Sequence, residues 1–153
     1  MTIYEMQGVC NKILIEANKP LILVKLGRKN ARRSRAHARP AGNYITIAPF
    51  IFAYPEEVQI AEIVHESCHF LANNYMLPHG VLFRQKEKYW LERYNLKPLK
   101  YVGSYNRVLQ NAAGEVIPTR GIGNFTKNQV KRFELEMKAK SMSKRTKHER
   151  ITL

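Results

Sequence analysis

Residues 55–72 read PEEVQIAEIVHESCHFLA, and this stretch decides the fold. Pro55 followed by Glu56 and Glu57 is typical of a helix start, because proline fits the first turn and carboxylates are stabilised near the positive end of the helix dipole. Apolar residues then occupy much of the circumference, which indicates a helix buried in the middle of a domain and not one on its surface. The pattern predicts a central helix that runs to about Asn74.

Within this helix, residues 65–69 spell His-Glu-x-x-His. Helical geometry places His65 and His69 about 40° apart in direction and about 6 Å apart along the axis, so both rings can reach one ion. Zinc is the natural occupant, since it is tetrahedral and binds imidazole, and a third ligand from elsewhere would leave one position for water. Glu66 points to the flank of the site, where its carboxylate could act as the general base. The competing interpretation is two core histidines satisfied by hydrogen bonds.

A third histidine stands at the entrance to the next predicted helix. His79 lies ten residues after His69, beyond Pro78, and belongs to a His-Gly-x-x-Phe pattern that ends at Phe83. Neither the glutamate ligand of thermolysin-like enzymes nor the H-x-x-G-x-x-H spacing of metzincins fits this sequence. A helix-capping role is the competing interpretation for His79. Cys68 also lies near the histidines, and a small buried thiol is its simpler interpretation.

This pair of motifs resembles the SprT-like metalloprotease family, which includes the Spartan proteases. The resemblance covers roughly residues 1–96 and implies a zinc endopeptidase with Glu66 as general base. One zinc ion would be held by three ligands, which are His65, His69 and His79. Family members act on DNA-associated proteins, particularly covalent DNA–protein crosslinks, so the resemblance also implies a protein substrate associated with nucleic acid.

The fold that the resemblance implies is a small α+β minimal metalloprotease, in which a short antiparallel sheet packs with the His-Glu-x-x-His helix and neighbouring helices. Gly80 and Phe83 would have packing roles. The predicted organisation is a metalloprotease core over 1–96, an extension over 97–140 that adds a hairpin and a basic amphipathic helix packed on the core, and a basic, flexible tail over 141–153. The extension and the tail match nothing in the family, and its cysteine-rich zinc ribbon is missing.

The remaining predicted elements follow from hydrophobic periodicity and turn signals. The first is a helix capped by Thr2 and Glu5 and closed by Pro20, and it is followed by strands over Leu21–Leu26 and Tyr44–Ile51. Another helix is predicted from Val81 to about Asn95, packing through Phe83, Tyr89, Trp90 and Tyr94. A hairpin of 101–109 with 115–118 around Asn111–Gly114 and a last helix from Thr126 complete the predicted elements.

Charge narrows the choice of partner. The 153 residues include 26 Lys and Arg against 12 acidic residues, which gives a net charge of +14 and favours a polyanion, with DNA as the first expectation. The segment 27–42 has no acidic residue and is predicted to be a basic loop or exposed hairpin. Candidate nucleic-acid contacts are Arg28, Lys29, Arg32, Arg33, Arg35, Arg39, Lys131 and Arg132. A solvated charged surface is the competing interpretation, and it also applies to His37.

All 12 acidic residues are glutamates, which excludes a Ser-His-Asp triad, an aspartic dyad and an EF-hand loop. The two cysteines provide no disulfide framework, and no secretory signal or membrane-spanning stretch is evident, so a cytoplasmic location is expected. The leading hypothesis is the zinc endopeptidase. The alternatives are a non-proteolytic basic nucleic-acid-binding protein with a zinc-stabilised SprT-like fold, and a zinc hydrolase that acts on another bond.

Overall fold

A computed structural model of the protein describes residues 1–28, 36–71, 79–102 and 106–118. Three helices and two small sheets make it an α+β structure, as the sequence predicts. In chain order the elements are α1 (Ile3–Glu16), β1 (Leu23–Leu26), β2 (Ala36–Arg39), β3 (Tyr44–Ile47), α2 (Glu56–Cys68), α3 (Val81–Arg93), β4 (Lys97–Val102), β5 (Asn106–Gln110) and β6 (Val116–Pro118). Short 3-10 turns cover Pro40–Gly42, Pro49–Ala53 and His69–Leu71.

The first sheet has the strand order β1-β3-β2 and is mixed, so the prediction of an antiparallel sheet is wrong for one of its two pairings. Strand β2 pairs antiparallel with β3, whereas β1 pairs parallel with β3, from Leu23 opposite Tyr44 to Leu26 opposite Ile47. Parallel strands need a crossover of about a dozen residues or more. Residues 27–43, which separate β1 from β3, are long enough to supply it.

Strand β2 lies in the basic segment 27–42 and pairs antiparallel with β3 across the turn Pro40–Gly42, which agrees with the hairpin alternative, although this hairpin is not exposed throughout. Its sequence Ala-His-Ala-Arg alternates small and polar residues, and Ala36 is buried while His37 and Arg39 are exposed. A period of two is the pattern of a half-buried strand. The surrounding arginines hid this short alternation in the sequence.

The second sheet is antiparallel, with the strand order β4-β5-β6. The turn between β5 and β6 is confirmed, because the Asn111 N–H donates to the carbonyl of Glu115 at 3.0 Å and Gly114 has φ +82°. The prediction of one strand over 101–109 is wrong, since two strands cover this region. Pro98 lies in β4, and proline fits there because β4 is an edge strand of this sheet among the described residues.

Helices α1 and α3 both pack against α2. The predicted capping box of α1 is present, with Thr2 and Glu5 exchanging hydrogen bonds of 3.0 and 3.1 Å. Helix α1 ends at Glu16, before the predicted stop at Pro20. Helix α2 ends at Cys68, and its last predicted residues lie partly in the 3-10 turn and partly outside the described residues. The central position of α2 agrees with its sequence, since it is buried around most of its circumference.

The hydrophobic core combines residues from all three helices and both sheets. Its fully buried members with the largest side chains are Phe50, Phe83, Met6, Ile13, Leu14, Ile45, Ile47, Ile51, Ile63, Leu91 and Leu109. Helix α3 contributes Phe83 and Trp90 as predicted, but Tyr89 is 45% exposed and is not on the packed face. Glu87, which was not predicted to pack there, is fully buried on this face.

No helix within the described residues is long and apolar enough to cross a membrane. The predicted helix from Thr126 and the predicted tail over 141–153 lie outside the described residues.

Candidate metal centre

Two of the predicted ligands come from the end of α2. His65 lies in the last turn and is 4% exposed, and His69 follows at the C-cap with helical backbone angles of φ −61° and ψ −26°. The helical spacing of the two side chains is therefore kept even though the α-helix ends one residue earlier. Their ring centroids are 5.1 Å apart.

The third predicted ligand, His79, stands directly before α3 in a left-handed backbone conformation with φ 60°. Histidine adopts this region more often than most residues, but the conformation is still uncommon outside glycine. Gly80 then caps α3, and the Arg84 guanidinium donates a hydrogen bond to the His79 carbonyl at 3.1 Å. This local geometry directs the His79 ring towards His65, with their Nε2 atoms 3.1 Å apart.

The three imidazoles form a group that could hold a metal ion. Their ligand atoms all lie within 4.8 Å of one another. Donor atoms at roughly 2.0–2.1 Å from a tetrahedral zinc ion would lie about 3.3 Å apart, which the pair of Nε2 atoms in His65 and His79 nearly matches. Imidazole ligands suit zinc, copper, iron or nickel better than magnesium or calcium. The residues present therefore fit a transition-metal ion.

Phe83 packs against all three histidine rings. Its centroid lies 5.1 Å from that of His65, 4.8 Å from that of His69 and 5.2 Å from that of His79. Because Phe83 is 1% exposed, its ring is an apolar, water-excluding support for the imidazoles. The packing role that the family resemblance implied for this residue has a direct structural basis.

Glu66, the predicted general base, is 7% exposed and follows His65 on α2. Its Oε2 atom accepts a hydrogen bond of 2.7 Å from the backbone N–H of Ala38 in β2. The Glu66 carboxylate is therefore held both by α2, which carries it, and by strand β2 of the first sheet. No sequence signal predicted this contact, since a backbone donor leaves no trace in the residue type.

Glu87 is the functional candidate that the sequence interpretation missed. Its side chain is fully buried, and its Oε2 lies 2.5 Å from His65 Nδ1. The signal was available, because Glu87 stands four residues after Phe83 and three before Trp90 and therefore on the packed stripe of α3. A charged residue on such a stripe needs a buried partner.

The electrostatic environment favours the neutral form of His69. Burial, followed by the neighbouring His65 and His79, lowers the pKa of His69 from 6.5 to about 4, although Glu87 opposes this shift. The pKa of His37 is also lowered, by burial and by Arg39. His37 is exposed, as its surface interpretation required, yet it is close enough to contribute to the lowered pKa of His69.

Both cysteines are buried and neither forms a disulfide, which confirms the interpretation of Cys68 as a buried thiol. Burial raises the pKa of the Cys10 thiol, and a hydrogen bond with Ser67 partly opposes that shift. The metal-binding group found among the described residues contains the three histidines without Cys68.

The predicted nucleic-acid contacts are only partly represented. Arg28 follows β1 and Arg39 ends β2, and both are exposed. Six predicted contacts lie outside the described residues: Lys29, Arg32, Arg33, Arg35, Lys131 and Arg132.

Comparisons of the chain with models of known protein families, with curated proteins and with solved structures found no match. Membership of the SprT-like family therefore stays a prediction that rests on the two histidine motifs.

Proposed function

We propose that this protein is a zinc-dependent endopeptidase that acts on proteins associated with or crosslinked to nucleic acid. The main support is the meeting of three imidazoles within 4.8 Å beside a buried glutamate. Three protein ligands with one position left open are the pattern of catalytic zinc sites, whereas structural sites use four. His69 and His79 are only partly buried, so this side of the group can be reached from solvent.

The proposed chemistry divides the work between the histidines and one carboxylate. When bound, zinc would polarise the scissile carbonyl and make water a better nucleophile at neutral pH. The imidazoles of His65, His69 and His79 would hold the ion. Glu66 accepts the proton of the attacking water and passes it to the amine that leaves. The Ala38 N–H donates a hydrogen bond to the Glu66 carboxylate and limits its movement, which would reduce the reorganisation needed for proton transfer.

The substrate class is proposed from charge. A chain with a net charge of +14 attracts polyanions over long range, and nucleic acid is the commonest polyanion for such a chain. Proteins already bound to DNA would then be brought near the centre through their nucleic acid. Arg28 and Arg39 are exposed and available for phosphate contacts.

The test is the Glu66→Gln variant, compared with wild type and with Glu56→Gln. Glu56 is exposed at the other end of α2, so its substitution is a matched control for the loss of one carboxylate from this helix. Zinc content and cleavage of a small basic DNA-binding protein are measured with and without duplex DNA. We expect Glu66→Gln to keep its zinc and to lose about 10²–10⁴-fold in cleavage rate, because a positioned general base contributes that much.

Full cleavage by Glu66→Gln would contradict the proposed mechanism. If wild type and both variants bind DNA with a steep salt dependence and none cleaves protein, the non-proteolytic nucleic-acid-binding alternative is correct. Absence of zinc from purified wild type after incubation with the metal would reject the metal centre itself.

A further inference from the structure

The buried face of α3 carries one charged residue. Phe83, Trp90 and Leu91 are its apolar members, and Glu87 lies among them with no exposed surface. Removing a carboxylate from water costs several kcal/mol unless a partner compensates. Replacing a buried ion pair by well-packed apolar residues is often neutral or stabilising. Packing alone therefore does not explain a glutamate at this position.

The contact of Glu87 with His65 determines where the two nitrogens of the imidazole point. Glu87 Oε2 lies 2.5 Å from His65 Nδ1, at one side of the ring. On the other side, His65 Nε2 lies 3.1 Å from His79 Nε2, within the metal-binding group. A carboxylate acceptor at Nδ1 keeps the ring proton there and leaves the Nε2 lone pair for a metal ion.

The other two histidines are positioned by different means. His79 is held through its own backbone by the Arg84 guanidinium, and His69 packs against Phe83 at 4.8 Å between ring centroids. For His65, the Glu87 carboxylate also places a negative charge close to the point where a dication would sit. Such a charge favours binding of a cation, and it is little screened because Glu87 is fully buried.

We infer that Glu87 is a positioning residue for the metal centre, which fixes the His65 ring with Nε2 towards the ion and strengthens zinc binding by its buried negative charge. The inference rests on the metal centre of the proposed function and not on proteolysis or on nucleic acid. A purely structural Glu87 would stabilise the fold without affecting zinc affinity beyond any loss of folded protein.

The experiment compares the full chain with Glu87→Gln, Glu87→Met and Glu92→Gln. Glutamine keeps the size of glutamate and an acceptor oxygen but removes the charge, and methionine removes both. Glu92 is half-exposed on the same helix, so Glu92→Gln is the matched control. Zinc affinity is measured by competition with a chromophoric chelator at neutral pH, and far-UV circular dichroism establishes that each protein is folded. The ¹⁵N chemical shifts of the His65 ring give its tautomer in the metal-free and zinc-loaded proteins.

We expect zinc affinity to fall about ten- to hundredfold in Glu87→Gln, the range typical for outer-shell partners of metal ligands, and at least as far in Glu87→Met. Glu92→Gln should bind like wild type. In wild type the His65 shifts should report a proton on Nδ1 and zinc on Nε2. Folded Glu87→Gln with wild-type affinity and an unchanged His65 tautomer overturns the role of Glu87 alone. A wild-type protein that binds no zinc overturns both this role and the metal centre.

Discussion

Helices α2 and α3 meet at the candidate metal centre, yet they are buried in different ways. Every residue of α2 from Ala61 to Cys68 is buried, whether polar or apolar. Of α3, only Phe83, Glu87, Trp90 and Leu91 are buried, all on one stripe. On α2 the burial pattern cannot separate functional from structural residues, so the spacing of the histidines has to do so. On α3 the burial pattern does indicate a functional residue, because Glu87 is the one charged residue on an apolar stripe.

The largest effect is expected when the Phe83 ring of α3, which packs on His65 of α2, is removed. Phe83→Ala deletes a side chain that is 1% exposed and packs on three imidazoles. We expect a loss of about 3–5 kcal/mol in the free energy of unfolding, the usual cost of truncating a buried phenylalanine. Urea unfolding of the metal-free protein measures it.

The control for this experiment is Leu82→Ala, one residue earlier on the half-exposed side of α3. It should cost far less, because Leu82 leaves half of its surface in water. Equal losses in the two variants would mean that the stripe on α3 does not carry the packing between the helices.

The second prediction distinguishes the effect of the His79 ring on zinc affinity from the effect of its backbone conformation on stability. Asparagine tolerates the left-handed conformation that His79 adopts with φ 60°, whereas alanine does not favour it. We expect His79→Asn to lose more than about a hundredfold in zinc affinity, beyond the range for outer-shell partners, while the metal-free protein stays as stable as wild type. His79→Ala should lose the same affinity and about 1 kcal/mol of stability as well.

Chelator competition and urea unfolding on both variants provide the two measurements. Tight zinc binding by folded His79→Asn would reject the third ligand. Equal stability of the Asn and Ala variants would reject the strained backbone.

The third prediction concerns pH. The pKa of His69 is lowered from 6.5 to about 4, first by burial and then by the neighbouring histidines. Between these values the unfolded chain binds more protons at this residue than the folded protein does. The contribution of His69 to stability is therefore present above pH 6.5 and is lost as the pH falls towards 4.

Urea unfolding of the metal-free protein at several pH values in this window measures the slope, with His69→Phe as the variant that cannot titrate. We expect a smaller slope in the variant, and an identical slope would contradict a lowered pKa at this histidine. Zinc binding by the folded protein should weaken only as the pH approaches about 4, where His69 itself becomes protonated and cannot bind the metal.

The sequence predicted the parts of the centre that lie close together along the chain. His65, Glu66 and His69 are fixed by one helical turn, so their spacing alone predicts that they share a site. His79 required a second motif, because it lies outside α2 and its approach depends on its own left-handed backbone conformation. The apolar stripe of α3 could have indicated that Glu87 is buried, but it could not indicate His65 as the partner, because pairing between elements is not visible in a local pattern.

In the fold, too, local features were predicted correctly and contacts between distant parts of the chain were not. The capping box of α1 and the turn at Asn111–Gly114 are local and were predicted correctly. The parallel pairing of β1 with β3 depends on contacts across the chain, and a short strand such as β1 does not show its direction in its sequence. Strand β2 was not recognised in the sequence, because its alternation covers only four residues and lies within a strongly basic segment.

The hydrogen bond from Ala38 to Glu66 has a consequence for mutagenesis. The donor is a peptide N–H, which every amino acid except proline supplies. Replacing the side chain at this position keeps the donor, and an alanine scan passes over it altogether because alanine is already there. A strand edge can thus guide the central carboxylate while standard mutational surveys record nothing at that position.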